Sequence, residues 1–413
     1  MILAEHAYGK KLIGDGLQIS AEAKERKSHN PNVIDATIGS LYNEDASFYK
    51  FKTIDNLLKS LNDVELYTYS PSDGGKQFKD AVLKWVFRDH KDYILNNMHT
   101  MVIATPGGTG AISNSIYNSC KKNDILLLPD LYWGPYSNMA TSNELTVEKY
   151  QMIYNDKFNI NEFILKSDEI IEKQNKLVTI INDPCNNPTG YSLTNDELED
   201  IIEYFNSKEN SGITLIYDIA YIDYANVGIE KTREKFLILA KAKKHILINI
   251  AYSASKSFSI YGLRTGAQII MSKDKEIVNT AYDSSCFLAR TRWSNSSKIG
   301  ISLLTKIASN DDLFNKANQD ITEAVGILNE RAKIFIEESK IVGLDLYPYN
   351  GGFFITVKCN DSKTIFEKLK GSDIFVLPFP NAIRISISAL SLREIKGLAN
   401  NIKKTMDSLG KTN

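Results

Sequence analysis

Five short runs of apolar residues, separated by stretches with helical spacing, constrain this chain more than any other feature. They are Met101-Val102-Ile103-Ala104, Ile125-Leu126-Leu127-Leu128, Val178-Thr179-Ile180-Ile181, Ile213-Thr214-Leu215-Ile216-Tyr217 and Ile246-Leu247-Ile248-Asn249-Ile250. Runs of this length are strands. Their continuous rather than alternating apolarity means that both faces of the sheet are covered. The pattern predicts an α/β domain, a mostly parallel sheet between helices, over about residues 45–300. Within it, Thr194 and Glu197 have capping-box spacing and predict a helix through Tyr204. The C-terminal part reads differently. Helical spacing covers about residues 312–340, followed by strand candidates at 352–357 and 382–387 and a final helix. That predicts a smaller α+β domain over residues 301–413, joined by an N-terminal segment, residues 1–44.

Composition narrows the function classes. A chain of 413 residues has room for two domains. Its 49 basic and 50 acidic residues leave a net charge of −1, which argues against nucleic-acid binding or adhesion to an anionic membrane. The start, Met1-Ile2-Leu3-Ala4-Glu5, lacks the basic and apolar regions of a signal peptide, and no apolar run is long enough to span a bilayer. Cys120, Cys185, Cys286 and Cys359 are far apart, as expected of free thiols in a reducing, cytoplasmic setting. The five histidines show no ligand spacing, so no metal is expected.

Ligands in such sheets bind beyond the carboxyl ends of the strands, and the chemically telling residues fall there. The fifth run leads into Ser253-Ala254-Ser255-Lys256-Ser257-Phe258-Ser259-Ile260-Tyr261-Gly262-Leu263-Arg264. A lysine amine can hold an aldehyde as a Schiff base while nearby hydroxyls and a guanidinium bind an anionic group of the same molecule. Pyridoxal 5′-phosphate has that shape; a basic, serine-rich surface turn fits the same residues. Thr105-Pro106-Gly107-Gly108-Thr109-Gly110-Ala111 follows the first run and opens a helical pattern, where free N–H groups can bind phosphate. The rival reading is a partial dinucleotide fingerprint, Gly108-x-Gly110-x-x-Ser113 with Asp130 beyond it, which lacks its third glycine.

Asp218, in Tyr217-Asp218-Ile219-Ala220-Tyr221, ends the fourth run and can hold a pyridine nitrogen protonated, or simply cap a turn. Asn187, in the turn-rich 182–190 stretch, and Tyr221 can hydrogen-bond the ring oxygen of such a cofactor. Trp133 can stack on its ring or serve as core. Arg384 lies in an otherwise apolar strand candidate, where an arginine is costly unless it meets a carboxylate.

With these residues assembled, the chain resembles the class I aminotransferases of pyridoxal-phosphate fold type I, in the aspartate and aromatic amino acid branch. The likeness runs from about Val33 to Ser386. It rests on Pro106-Gly107-Gly108-Thr109-Gly110-Ala111, Asn187-Pro188-Thr189-Gly190, Asp218-x-Ala220-Tyr221 and Ser253-x-Ser255-Lys256 with Tyr261-Gly262-x-Arg264-x-Gly266. The resemblance implies a seven-stranded, mostly parallel sheet in the large domain. It makes Lys256 the Schiff-base lysine, with Asp218 on the pyridinium, Asn187 and Tyr221 on the ring oxygen and Trp133 on the ring face. Gly108, Thr109, Ser253 and Arg264 become phosphate ligands. Gly39 falls in a substrate-covering loop, and Arg384 matches the α-carboxylate arginine. Tyr69 matches a tyrosine reaching a neighbouring subunit's phosphate, and Arg290 an arginine gripping a distal carboxylate across the interface. A homodimer with shared sites follows from that likeness.

The chain departs from the family pattern at Pro135-Tyr136, where Asn-His is common, so the group behind Asp218 must differ. It departs also at Asn186, where histidine is common, and at Ser294-Asn295-Ser296-Ser297. Arg292 adds a second cation beside Arg290. The expected activity is a ping-pong transamination between an amino acid, dicarboxylic or aromatic, and a 2-oxo acid. A lyase or decarboxylase on the same scaffold, and a non-catalytic binding or regulatory protein with a dormant site, are the alternatives. The partial glycine fingerprint keeps an NAD-dependent dehydrogenase as a poor third, and a serine hydrolase built on Ser253-x-x-Lys256 lacks partner motifs.

Overall fold

The computed structural model describes residues 2–4, 7–10 and 16–410. Its principal elements begin with helix α1 (Gly16–His29), strand β1 (Ile34–Asp35), α2 (Gly75–Phe87), β2 (His99–Pro106), α3 (Gly107–Ser119), β3 (Ile125–Pro129), α4 (Pro135–Ser142) and β4 (Thr146–Tyr150). There follow β5 (Lys176–Asn182), α5 (Asn195–Ser207), β6 (Gly212–Asp218), β7 (Ile246–Ser253), the one-turn α6 (Ala254–Ser257), β8 (Thr265–Ser272) and α7 (Lys275–Arg292). The C-terminal part holds α8 (Asp311–Val342), β9 (Phe354–Lys358), β10 (Ile374–Phe375), β11 (Leu377–Phe379), β12 (Ala382–Ser386), α9 (Leu392–Ile395) and α10 (Leu398–Gly410).

Seven strands form the central sheet in the order β2-β8-β7-β6-β5-β3-β4. All five apolar runs are strands of it. The pairs β3–β4, β3–β5, β5–β6 and β6–β7 are parallel, and β8 runs antiparallel to both β7 and β2. Register aligns the carboxyl ends: Asn182 sits opposite Asp218, and Asp218 opposite Ala251. The turns leaving β5, β6 and β7 therefore open on one edge of the sheet, beside the turn from β2 into α3. The Thr194–Glu197 capping box is formed and starts α5. Gln268, on β8, is buried and donates to Asn249 Oδ1 on β7 at 2.9 Å and Ser115 Oγ on α3 at 3.2 Å.

The C-terminal elements build a three-stranded antiparallel sheet, β9-β12-β11, which places Arg384 on its central strand opposite Thr356 and Leu377. The 32-residue α8 packs on α10 and on the segment after β12. β1 pairs in parallel with β10, so the N-terminal segment adds to this region. Among the described residues, no helix is long and apolar enough to cross a membrane.

One buried charge cluster lies behind the lysine turn. Arg233 and Asp223 are both fully buried and paired, and Arg233 Nη1 also donates to the carbonyls of Ile222 and Ile229 at 3.0 and 3.1 Å. Arg88 packs against the rings of Trp85 and Phe314, 4.0 and 4.3 Å from their centroids. Burial, aided by Arg233, brings its pKa down to about 10. Asp223 is the carboxylate that offsets both guanidinium groups. Asp223→Asn is expected to destabilise the fold by ~3–5 kcal/mol, the usual cost of stranding a buried charge. Chemical denaturation of the two proteins measures it.

Candidate active site

The turns after β2, β5, β6 and β7 each bring a functional group to this edge. Lys256 lies in α6, directly after β7, partly buried, with Nζ 5.7 and 5.5 Å from the ring centroids of Tyr221 and Tyr261. Tyr224 holds the turn by donating to the Lys256 carbonyl at 2.8 Å. Burial disfavours the ammonium form and brings the Lys256 pKa down to about 8. The Asp218 charge opposes that shift, and Arg264 and Arg384 add to it.

Asp218, the last residue of β6, is 5% exposed. Its Oδ2 accepts from the Tyr136 hydroxyl at 2.5 Å and its Oδ1 from the Ala220 N–H at 3.0 Å. Burial raises its pKa, while Tyr136, Ala220 and Lys256 pull it back. Tyr136, fully buried on α4, is pushed well above the ordinary phenol range by burial and then by Asp218. It is thus a permanent donor, and it fills the position behind Asp218 that the sequence marked as unusual.

Asn182, which sequence reasoning passed over, links two predicted site residues. Its Nδ2 donates to the Asp218 carbonyl at 2.9 Å, and its Oδ1 accepts from the Asn187 N–H at 2.7 Å. Asn187 in turn accepts at Oδ1 from Arg384 Nη1 at 2.8 Å. Arg384 Nη2 donates to the Thr37 carbonyl. The Arg384 guanidinium lies 4.0 Å from the centroid of the Phe354 ring, and its Nε is buried without a partner. Burial lowers the Arg384 pKa to about 10, which leaves it cationic at neutral pH. A buried cation with an unpaired N–H is suited to a carboxylate ligand. Gly39 closes over this group: a Cβ there would fall 2.6 Å from Phe354 Cζ.

An anion cradle lies at the start of α3. Gly107 has φ +71°, and a Cβ on it would fall 2.7 Å from Arg264 Nη2, so only glycine leaves the guanidinium in place. Gly108 faces Ser253, with 3.4 Å between the two Cβ positions. Arg264 Nη1 also donates to the Tyr261 carbonyl at 2.9 Å and to Ser255 Oγ at 3.4 Å. Thr109 follows in the first turn of the helix, where backbone N–H groups point outward. Trp133 stands edge-on to Tyr136, with 5.5 Å between ring centroids.

The structure brings together Lys256, Asp218, Tyr221, Asn187, Arg384 and Gly39, with Gly108, Thr109, Ser253 and Arg264 beside them. Tyr69 and Arg290 are elsewhere on the surface: Tyr69 is 91% exposed, and Arg290, also exposed, donates to Ser294 Oγ at 2.8 Å. Phe354, Tyr136, Tyr261 and Asn182 are the contributors that sequence reasoning did not assign.

Comparison with known proteins gives a consistent result. Residues 43–402 match the model of the family described as aminotransferase class I and II. Aspartate aminotransferase of Escherichia coli is 25% identical over 245 residues, 59% of this chain and 60% of that protein. The matched stretch thus spans three fifths of that relative's length. Aromatic-amino-acid aminotransferase of Paracoccus denitrificans is 25% identical over 286 residues, 68% of this chain and 70% of that one. Among solved structures, an aminotransferase from Anaerococcus prevotii superposes with a TM-score of 0.92 at 26% identity, covering 98% of this chain and 100% of that one. A Burkholderia pseudomallei aromatic-amino-acid aminotransferase covalently bound to pyridoxal phosphate shares the fold, with a TM-score of 0.78 at 19% identity, covering 98% and 100%.

The depressed basicity of Lys256 can be measured. In ligand-free protein whose lysines are reductively methylated with carbon-13, one dimethyl-lysine resonance should titrate near pH 8, against the ordinary lysine value of 10.5. Because the Asp218 charge favours the ammonium form, Asp218→Asn should move that midpoint further down.

Proposed function

This chain belongs to the class I and II aminotransferases, and from that premise we propose that it is a pyridoxal 5′-phosphate-dependent transaminase, exchanging amino groups between an amino acid and a 2-oxo acid by a ping-pong mechanism. The observation that carries the reading is the convergence on one sheet edge of a partly buried amine, a buried carboxylate, an arginine-backed anion cradle and a buried guanidinium with an unpaired N–H.

The residues fit the cofactor. When bound, it supplies an aldehyde that holds amines covalently and a ring that accepts electrons from Cα. Lys256 is its attachment point. Gly108, Thr109, Ser253 and Arg264 hold its phosphate, with Ser255 beside them. Asp218 keeps the ring nitrogen protonated, and Tyr136 orients that carboxylate without titrating itself. Asn187 and Tyr221 serve the ring oxygen, and Trp133 covers the ring face. Arg384 fixes the substrate by its α-carboxylate under the segment containing Gly39. Lys256 Nζ, its pKa lowered to about 8, is roughly one-tenth free base at pH 7, far more than an ordinary lysine, and is the group that takes the proton from Cα.

Tyr69 and Arg290 belong, in this reading, to the partner's site in a homodimer. Their exposure supports it, as does the exposure of apolar side chains near them: Tyr67 is 80% and Phe287 67% exposed. Arg292 is held on its own subunit, 4.6 Å from the Tyr117 ring centroid and 3.2 Å from Ser113 Oγ. Arg290 lies two residues away, about 200° round the helix, and is the better candidate for a distal carboxylate. We divide the chain into an N-terminal segment, residues 1–44, that joins the small domain, a large domain, 45–300, and a small domain, 301–413. The β1–β10 pairing supports the first assignment. Four unpaired cysteines suit a cytoplasmic location.

Reduction of the coenzyme-loaded protein with borohydride should label the peptide containing Lys256; label on another lysine would refute the assignment. Amino donors presented with 2-oxoglutarate should yield the matching 2-oxo acids, and release of carbon dioxide or an alkene product instead would replace transamination with decarboxylation or elimination. Arg290→Ala should lower kcat/KM for aspartate by ~30-fold or more, as for loss of a charge-paired contact of about 2–5 kcal/mol. Phenylalanine turnover should change much less, and Arg292→Ala should spare both substrates.

A further inference from the structure

Arg331 is fully buried in the middle of α8, and none of the chemistry above uses it. Its guanidinium reaches two separate stretches of chain. Nη2 donates to the Tyr42 carbonyl at 2.9 Å and to Glu44 Oε1 at 2.7 Å, and Nε approaches the same oxygen at 3.3 Å. Nη1 donates to the Ser388 carbonyl at 3.1 Å and reaches that of Ile387 at 3.5 Å. The other Glu44 oxygen accepts from the Leu392 N–H, at the start of α9, at 2.7 Å. One arginine thus joins residues 42–44 to the turn that follows β12.

Those two stretches lead directly into the substrate end of the site. Residues 36–42 run alongside β12 and its following turn through a row of hydrogen bonds. Ser386 N–H donates to Ala36 O at 2.9 Å, Arg384 Nη2 to Thr37 O, Ser386 Oγ to Ile38 O at 2.6 Å and Tyr42 N–H to Ser388 O at 3.0 Å. Arg384 secures the near end of this segment and Arg331 the far end. Between them, Gly39 rests on Phe354, which faces the Arg384 guanidinium, and Leu41 N–H donates to the Tyr261 hydroxyl at 3.2 Å. The Tyr42 and Tyr261 rings each meet Phe48 edge-on at 5.8 Å, and the Tyr261 ring in turn neighbours Lys256. Tyr42, Gly39, Tyr261 and Arg384 are thus joined through a continuous set of contacts.

A buried cation is a costly way to fill space. An apolar side chain of equal volume is often as stabilising or more so. What the planar fork adds is fixed geometry where the two stretches meet. We propose that Arg331, held by Glu44, is a positioning residue for substrate: it sets how the Ile38–Leu41 segment lies over Arg384, and so tunes carboxylate binding without acting on the cofactor. The proposal rests on the transaminase reading and extends it to two residues outside the cofactor and substrate contacts.

Glu44 is exposed, so its replacement opens no cavity in the core, although it takes the carboxylate from Arg331. In coenzyme-loaded Glu44→Ala, the calorimetric Kd for succinate, an unreactive dicarboxylate, should rise about 10-fold, the scale of one charged hydrogen bond. Coenzyme retention after dialysis should stay near that of the parent protein, while the melting temperature falls because Arg331 loses its carboxylate. Arg331→Lys should show the same split between substrate and coenzyme, and Glu44→Gln, which keeps an acceptor for Arg331, should recover most of the affinity. Unchanged succinate binding with a lowered melting temperature would reduce Arg331 to a structural strut and overturn the proposal. Parallel loss of coenzyme would also overturn it. A parent protein that holds coenzyme but binds no carboxylate would instead defeat the transaminase reading and this inference with it.

Discussion

The site depends on holding a buried carboxylate and a partly buried amine at neighbouring strand ends while denying them each other. Had Asp218 and Lys256 met as an ion pair, the amine would be fixed as ammonium and useless as a base. Separate partners prevent that. Asp218 is occupied by the Tyr136 hydroxyl and the Ala220 N–H, and among the described residues no ion pair joins it to Lys256. Lys256 is instead held by its backbone, through Tyr224, with aromatic rings about its amine. The result is a carboxylate whose pKa burial raises and donors pull back, beside an amine made less basic by burial. A cofactor whose ring needs a proton and whose aldehyde needs a free amine requires that combination.

Much of the fold was legible because parallel strands buried on both faces leave an unbroken apolar signature. All five runs proved to be strands of one sheet, in the region predicted. Two strands of that sheet gave no such signal. β4 is one of the two edge strands, and its Glu148 and Lys149 break the apolar run. β8 begins in the glycine- and arginine-containing stretch that reads as a cofactor motif, and its Gln268 looks wrong for a core. Only the structure reveals Asn249 and Ser115 as the partners that make a buried amide tolerable there. β8 is also the antiparallel member, a property that apolar content does not encode.

The cofactor side of the site was legible for a different reason. Its residues lie in short stretches whose composition is tied to their chemistry: glycines where an arginine presses on the backbone, small hydroxyls around a lysine, a carboxylate at a strand end. The residues that were missed act through a third dimension. Asn182 differs from any other turn asparagine only in bridging Asp218 to Asn187. Phe354 looks like a core phenylalanine until its ring is seen against Arg384 and Gly39. Tyr136 is intermediate: the sequence marked the position as departing from its relatives, and the hydrogen bond to Asp218 explains how the departure is tolerated.

The elements proposed to act in trans follow a rule of their own. Tyr69 and Arg290 extend into solvent, yet the backbones beside them are tightly held. Ser70 Oγ donates to the Ser296 carbonyl at 2.7 Å, and Asn295 Nδ2 donates back to the Ser70 carbonyl. Asp73, four residues beyond Tyr69, accepts from Lys79 and from the Tyr282 hydroxyl of α7, the helix that ends in Arg290 and Arg292. The loop carrying the tyrosine and the helix end carrying the arginine are therefore one braced unit within a single chain. An exposed side chain on a fixed backbone loses little further freedom when a partner covers it, whereas a floppy loop would forfeit affinity in becoming ordered. The bracing is what a subunit needs if it is to present two groups at once, at a set spacing, to a site it does not itself contain.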